Sequence, residues 1–414
     1  MKNKLKNLLA MVLFTIVFPI LSNAYDFEVD GIYYYIRSTG DRTCAVTYGD
    51  AKYIENIDIP SSVSYRNNTL TVTGIGSDAF RNCTSLTSIE IPSSVTDIGF
   101  DAFKGCTALT SIEIPSSVTK IGDEAFRGCT ALTSIDISNY VTSVGKYAFE
   151  GCTSLTSIRI PSSVSYIGIY AFSNCTSLSE IQLSEGLTSL NYGMFNNCTE
   201  LQSLTIPGSI SNIIFYNYDE KKPSDTFSES LKYLRFDYSD TELKASYFYT
   251  NRVHDTGWYD DRIKMFTNQI EKLYIDRTLK GPELISVESL KELILGEHIR
   301  TLQITGYNAP NLSTITCYAT TPPKGVSFNK FQYTDMIVKV PNSALEAYKN
   351  AEGWRNFWNI EGFEYSGIDE VINDNTSKPN ETGRYNLNGQ AVSEDYKGVV
   401  IVRFSDGTTK KIMQ

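Results

Sequence analysis

From Leu86 onward the apolar positions follow a fixed order: Leu86, Ile89, Ile91, Val95, Ile98, Ala102, Phe103, Cys106. The same order begins again at Leu109, 23 residues later. Alternation at Ile89-Glu90-Ile91 predicts a short strand with one face turned inward. Pro92 closes that strand, because proline cannot donate to a ladder. Gly99 predicts a tight bend ahead of a return segment. Burying the large side chains of one unit contributes roughly 1.5 to 3 kcal/mol each before entropy is subtracted. A unit this short cannot cover its own apolar face, so units must stack into one continuous core.

Six cysteines hold the register, Cys83, Cys106, Cys129, Cys152, Cys175 and Cys198, at a constant interval of 23 residues. Regular repeats are expected over 54–207, with a hairpin inserted at SYRNNTLTV, Ser64 to Val72. A β-rich opening over 25–53 precedes them. A degenerate repeat with a long aromatic and polar insertion, which interrupts the array, follows over 208–268, and further degenerate repeats over 269–342. Strand-like cores recur there as SLKYLRF, IEKLYID, SLKELIL, IRTLQIT (Ile299 to Thr305) and NLSTITC. Ser343 and Glu346 form an S-x-x-E capping box that predicts a short helix, and with Trp354, Phe357 and Trp358 it makes a helical C-terminal cap over 343–365. A polar linker is expected over 366–381. The closing stretch 382–414 reads as a small β module, with Asp406-Gly407 as its hairpin signal.

The unit IPSSVTxIGxxAFxGCTxLTSI resembles the BspA-type leucine-rich repeats of exported bacterial surface proteins. YDFEVDGIYYYI, Tyr25 to Ile36, is similar to the opening of such proteins, and VPNSALEAYKNAEGWRNFWNI, Val340 to Ile360, to their ending. The resemblance implies a leucine-rich-repeat solenoid of the α/β horseshoe class. Short parallel strands alternate with irregular or short helical return segments, and a small C-terminal β module is added. It also implies attachment to host matrix proteins, host cells or other bacteria, and it carries over no catalytic residue. The last module, with YNLNGQ, a KGVVIV strand and a lysine-containing final strand, resembles the sorting domains of type IX secretion.

Charge narrows the partners. The 414 residues hold 37 Lys and Arg against 47 Asp and Glu, a formal charge of -10, which disfavours nucleic acid. Residues 1–24 read as a secretory leader: Lys2, Lys4 and Lys6, an apolar run from Leu8 to Leu21, then Ser22-Asn23-Ala24. That run is too short for a spanning helix, so an exported protein, extracellular or on the outer cell surface, is expected with no transmembrane segment. Export raises the prospect of disulfides among the eight cysteines. Side chains at one repeat position point in parallel, however, so the ladder is read as free, inert core thiols.

Outward strand positions vary between coils and are the first candidate site. One column reads Glu90, Glu113, Asp136, Arg159, Gln182, and beside it run Ser88, Ser111, Ser134, Ser157 and Glu180. Neighbouring carboxylates one strand spacing apart repel, which favours a basic or hydroxyl-rich partner; the competing reading is a solvated polar face. A second candidate is Tyr247, Tyr249, Trp258, Tyr259 and Arg262 of the insertion, suited to a protein hot spot or to sugar stacking, or equally to a loop packed on its own solenoid. Open acidic columns lack the apolar pocket that would raise one carboxyl pKa, so no catalytic residue is assigned. His254 and His298 have no metal-binding spacing, and neither metal nor cofactor is expected. The function read from the chain is non-catalytic, adhesin-like binding of a host or bacterial protein or glycan. The alternative is a carbohydrate-binding component of a surface polysaccharide-capture system, with a hydrolase ranked third.

Overall fold

The computed structural model describes residues 25–49, 52–217, 222–223, 227–228, 230–249, 252–255, 270–279, 288–302, 309–365, 381–386, 399–404 and 409–413. The chain divides into two compact units, Met1–Phe363 and Glu364–Gln414. In the larger unit the inward alternation becomes a front ladder of parallel strands: Leu86–Glu90, Ser111–Glu113, Ser134–Asp136, Ser157–Ile160, Glu180–Leu183 and Ser203–Ile206. Ile112 sits opposite Ile135 and Glu113 opposite Asp136, so each coil repeats the in-and-out pattern of its neighbour. Ile112, Ile135 and Ile158 are buried while the residues on either side are exposed.

Return segments depart from expectation. Through the regular coils each carries a two-residue strand, Asp97–Ile98, Lys120–Ile121, Ser143–Val144 and Tyr166–Ile167, paired in parallel into a second, back ladder. The turns between the ladders bond along the stack too: Phe80 N–H donates to Ala102 O at 2.7 Å and Phe103 N–H to Ala125 O at 2.7 Å. Phe80, Phe103, Phe126, Phe149, Phe172 and Phe195 form an inner spine, with successive centroids from 5.1 to 6.1 Å apart. Offset stacking of this kind adds to area burial.

Gly99 is not a bend residue. It is absent from the positive-φ glycines, and a Cβ there would stand 2.7 Å from Ser77 N and 2.8 Å from Gly76 C. Gly122 stands in the same relation to Gly99, and Gly145 to Gly122. The glycine lets adjacent backbones touch. Positive φ instead occurs at two other places in each coil, at Gly105, Gly128 and Gly151 and at Asp101, Glu124, Tyr147 and Tyr170.

The hairpin forms as read, with Ser62–Tyr65 antiparallel to Asn68–Ile75 across Arg66 and Asn67, both at positive φ. Antiparallel strands Phe27–Val29, Ile32–Ser38 and Thr43–Thr47 continue the back ladder at its first end. Beyond Ile206 the front ladder is unbroken. It passes to Tyr233–Tyr249, Lys272–Leu279, Glu292–Leu295, Thr314–Cys317, Ile337–Pro341 and Asn359–Phe363, all parallel. What looked like an interruption therefore supplies a coil: Tyr233–Tyr249 pairs with Ser203–Ile206 by its first half and with Asn212–Asn217 by its second. The described part of Ile299 to Thr305 is no front strand and makes only an isolated bridge, Thr301 to Lys324.

At the far end the S-x-x-E box does not form. Residues Asn342–Ala344 make a 3₁₀ turn, and the helix Leu345–Asn350 starts from Ala344 without a side-chain cap. The true capping box is Asn329 with Gln332, ahead of a helix Lys330–Asp335 that the hydrophobic pattern does not announce. Trp354 and Phe357 enter the core, but Trp358 is 78 % exposed and takes no part in it. In the smaller unit, Glu381–Asn386, Val399–Phe404 and Thr409–Met413 pair antiparallel; Asp406 and Gly407 lie outside the described residues.

Candidate binding surface

Each coil carries charge on two sides, and the two sides treat it differently. On the return edge, acids and bases alternate from coil to coil. Arg81 Nη1 lies 2.8 Å from Asp78 and 3.0 Å from Asp101, Lys104 Nζ 3.2 Å from Asp101 and 2.5 Å from Glu124, and Arg127 2.8 Å from Glu124 and 2.7 Å from Glu150. The Asp101 side chain is wholly buried. Burial pushes the Asp101 carboxyl above its ordinary value against the pull of Lys104. At Glu124 burial also pushes upward, but hydrogen bonds from Lys104 and Arg127 outweigh it and hold the carboxyl below the usual range. This is an internal zipper.

On the front sheet, Asp58, Glu90, Glu113 and Asp136 stand exposed in successive coils, with Asp58 paired to Glu90 and Glu113 to Asp136 in register. None of the four has an ion-pair partner among the described residues. Strand spacing sets neighbours about 4.8 Å apart. At that separation two unit charges in water repel by about 1 kcal/mol, a cost the free chain carries and a cationic partner relieves. Arg159 and Gln182, opposite one another and exposed, end the acidic run. The flanking column, Ser88, Ser111, Ser134 and Ser157, is exposed and short, so the carboxylates stand proud of a hydroxyl floor.

The same columns continue where sequence reading did not follow them. Ser203 and Thr205 lie opposite Tyr233 and Arg235, which lie opposite Lys272 and Tyr274. Here charges are again matched: the Arg235 guanidinium covers the Tyr274 ring at 4.0 Å and reaches Asp237 at 2.6 Å, and Lys272 pairs with Glu292 at 3.3 Å. Tyr274 and Ile294, outward by register, are buried. The open part of the face therefore runs through Thr205, closes over the Tyr233, Lys272 and Glu292 strands, and opens again at Ile337, Lys339 and Glu361. Laying SLKYLRF and IEKLYID over the regular unit finds these residues from sequence; their burial has no sequence signal.

Of the insertion residues, Tyr247 and Tyr249 fall on the strand Tyr233–Tyr249, opposite His254 and Arg252. Trp258, Tyr259 and Arg262 lie outside the described residues. His298 lies in a turn that is held in place: Asp276, itself buried, accepts its backbone N–H at 2.8 Å and contacts its Nδ1 at 3.0 Å, while the Tyr238 ring packs at 3.9 Å. Among the described residues no group of three or more His, Cys, Asp or Glu is placed to hold a metal ion, and no helix is long and apolar enough to cross a membrane.

All six ladder cysteines are buried with unpaired thiols. Cys106 Sγ–H donates to Phe80 O at 3.0 Å, Cys129 to Phe103 O at 3.1 Å and Cys152 to Phe126 O at 3.2 Å, each one coil back. Burial raises their pKa values, to about 12 at Cys129 and Cys198, which leaves almost no thiolate to react at neutral pH.

The BspA type leucine rich repeat region matches this chain in six copies, over residues 51–154, 96–224 and 142–256. The chain is a BspA-type leucine-rich-repeat protein. Its repeat fold is similar to that of a solved leucine-rich repeat protein from Bacteroides ovatus, at 22% identity over 82% of this chain and 100% of that one, with a TM-score of 0.46. A leucine rich cell surface protein from Faecalibacterium prausnitzii matches at 22% identity over 84% of this chain and 96% of that one, with a TM-score of 0.46. The leucine-rich repeat protein of T. pallidum matches at 25% identity over 54% and 85%, with a TM-score of 0.38. No curated protein matches the BspA-type chain.

Proposed function

We propose that this BspA-type protein is a non-catalytic, exported or surface-displayed binder whose front sheet captures a protein or glycan partner, as an adhesin does. One observation carries the reading. Acids on the return edge are matched by bases one coil away, whereas Asp58, Glu90, Glu113 and Asp136 on the front sheet have no neutralising partner among the described residues. A chain that pairs its charges on one edge and leaves a like-charged column open on its sheet has kept that column for a partner, and a basic or hydroxyl-rich surface fits it. The exposed strand face is continuous over these coils, so the binding area is long and shallow rather than a pocket.

The test is the triple variant Glu90→Ala, Glu113→Ala, Asp136→Ala, assayed by overlay on immobilised matrix proteins and on a glycan array. Capture is expected to fall about tenfold, equivalent to about 1.4 kcal/mol, with the melting temperature within a degree or two of the parent. Wild-type capture should also weaken as salt rises from 50 mM to 500 mM, because exposed charges are screened. Capture that survives both the substitutions and high salt removes the front-sheet reading. The C-terminal unit is proposed to direct the chain to the cell surface.

A further inference from the structure

We draw no further inference here: the strongest candidate, the side-chain cluster of Tyr238, Asp276 and His298 on successive coils of the front ladder, offers a single imidazole held by a buried carboxylate, and nothing among the described residues places a second ligand or a reacting group beside it.

Discussion

Glu124 accepts from Lys104 on one side and from Arg127 on the other, at 2.5 and 2.8 Å, and its backbone sits at φ 57°. Left-handed backbone costs roughly 1 to 2 kcal/mol for a residue other than glycine, and the paired hydrogen bonds to charged donors offset it. Because the folded-state carboxyl lies below its ordinary value, Glu124 stabilises the chain above the unfolded pKa, and that contribution is lost as pH falls through the folded one. Asp101 has the opposite sign. Its carboxyl is raised by burial, so its ionisation opposes folding as pH rises through that value. Glu124→Gln is expected to cost about 1 to 3 kcal/mol at pH 7 and to lose less stability than the parent between pH 5 and 3, read by denaturant melts at each pH. An unchanged acid limb removes the zipper's role. The residues themselves are plain in the sequence, as is their i,i+3 spacing; the bond from Lys104 to the next coil is not.

At the scale of the element, a coil is defined less by its strands, some only two residues long, than by how closely it approaches the next. Gly122 and Gly128 separate the two uses of glycine. A Cβ at Gly122 would stand 2.5 Å from Gly99 C and O, backbone atoms that cannot move alone, although its φ is not positive. Gly128 has open space, with nothing nearer than 3.9 Å, but a φ of 71°. Gly122→Ala should therefore cost more than Gly128→Ala: about 3 kcal/mol or more, as a clash with fixed backbone, against about 1 to 2 kcal/mol for left-handed strain. Equal losses in thermal melts would refute close approach as the reason for the IG pair. The cysteine repeat has a comparable local cause. Each buried thiol fills a small space and donates to the phenylalanine carbonyl one coil back. Strand positions and proline stops were legible because strand alternation is local. The back ladder was not, since two residues such as Lys120–Ile121 have no period to read.

For the molecule as a whole, the front ladder runs from Glu55–Asp58 to Asn359–Phe363, and what changes along it is the dressing of its outward face. Acids stand open in the first coils, matched charges cover the middle, and Trp358 stands free beside the last strand. The smaller unit, Glu364–Gln414, carries the proposed surface delivery. Deleting Tyr385 to Gln414 should abolish surface exposure while leaving the melting temperature of the solenoid unchanged; protease shaving of whole cells checks this, and undiminished exposure ends the proposal. The sequence by itself determined the repeat, its 23-residue register, the inward faces and the acidic column, because stacked identical units must bury identical positions and expose the rest. Only the tertiary structure decided which charges are neutralised, why Gly99 is glycine, and that Trp354 is buried while Trp358 is bare. Each of those depends on the distance between atoms from different coils, and the order of residues within one coil does not encode it.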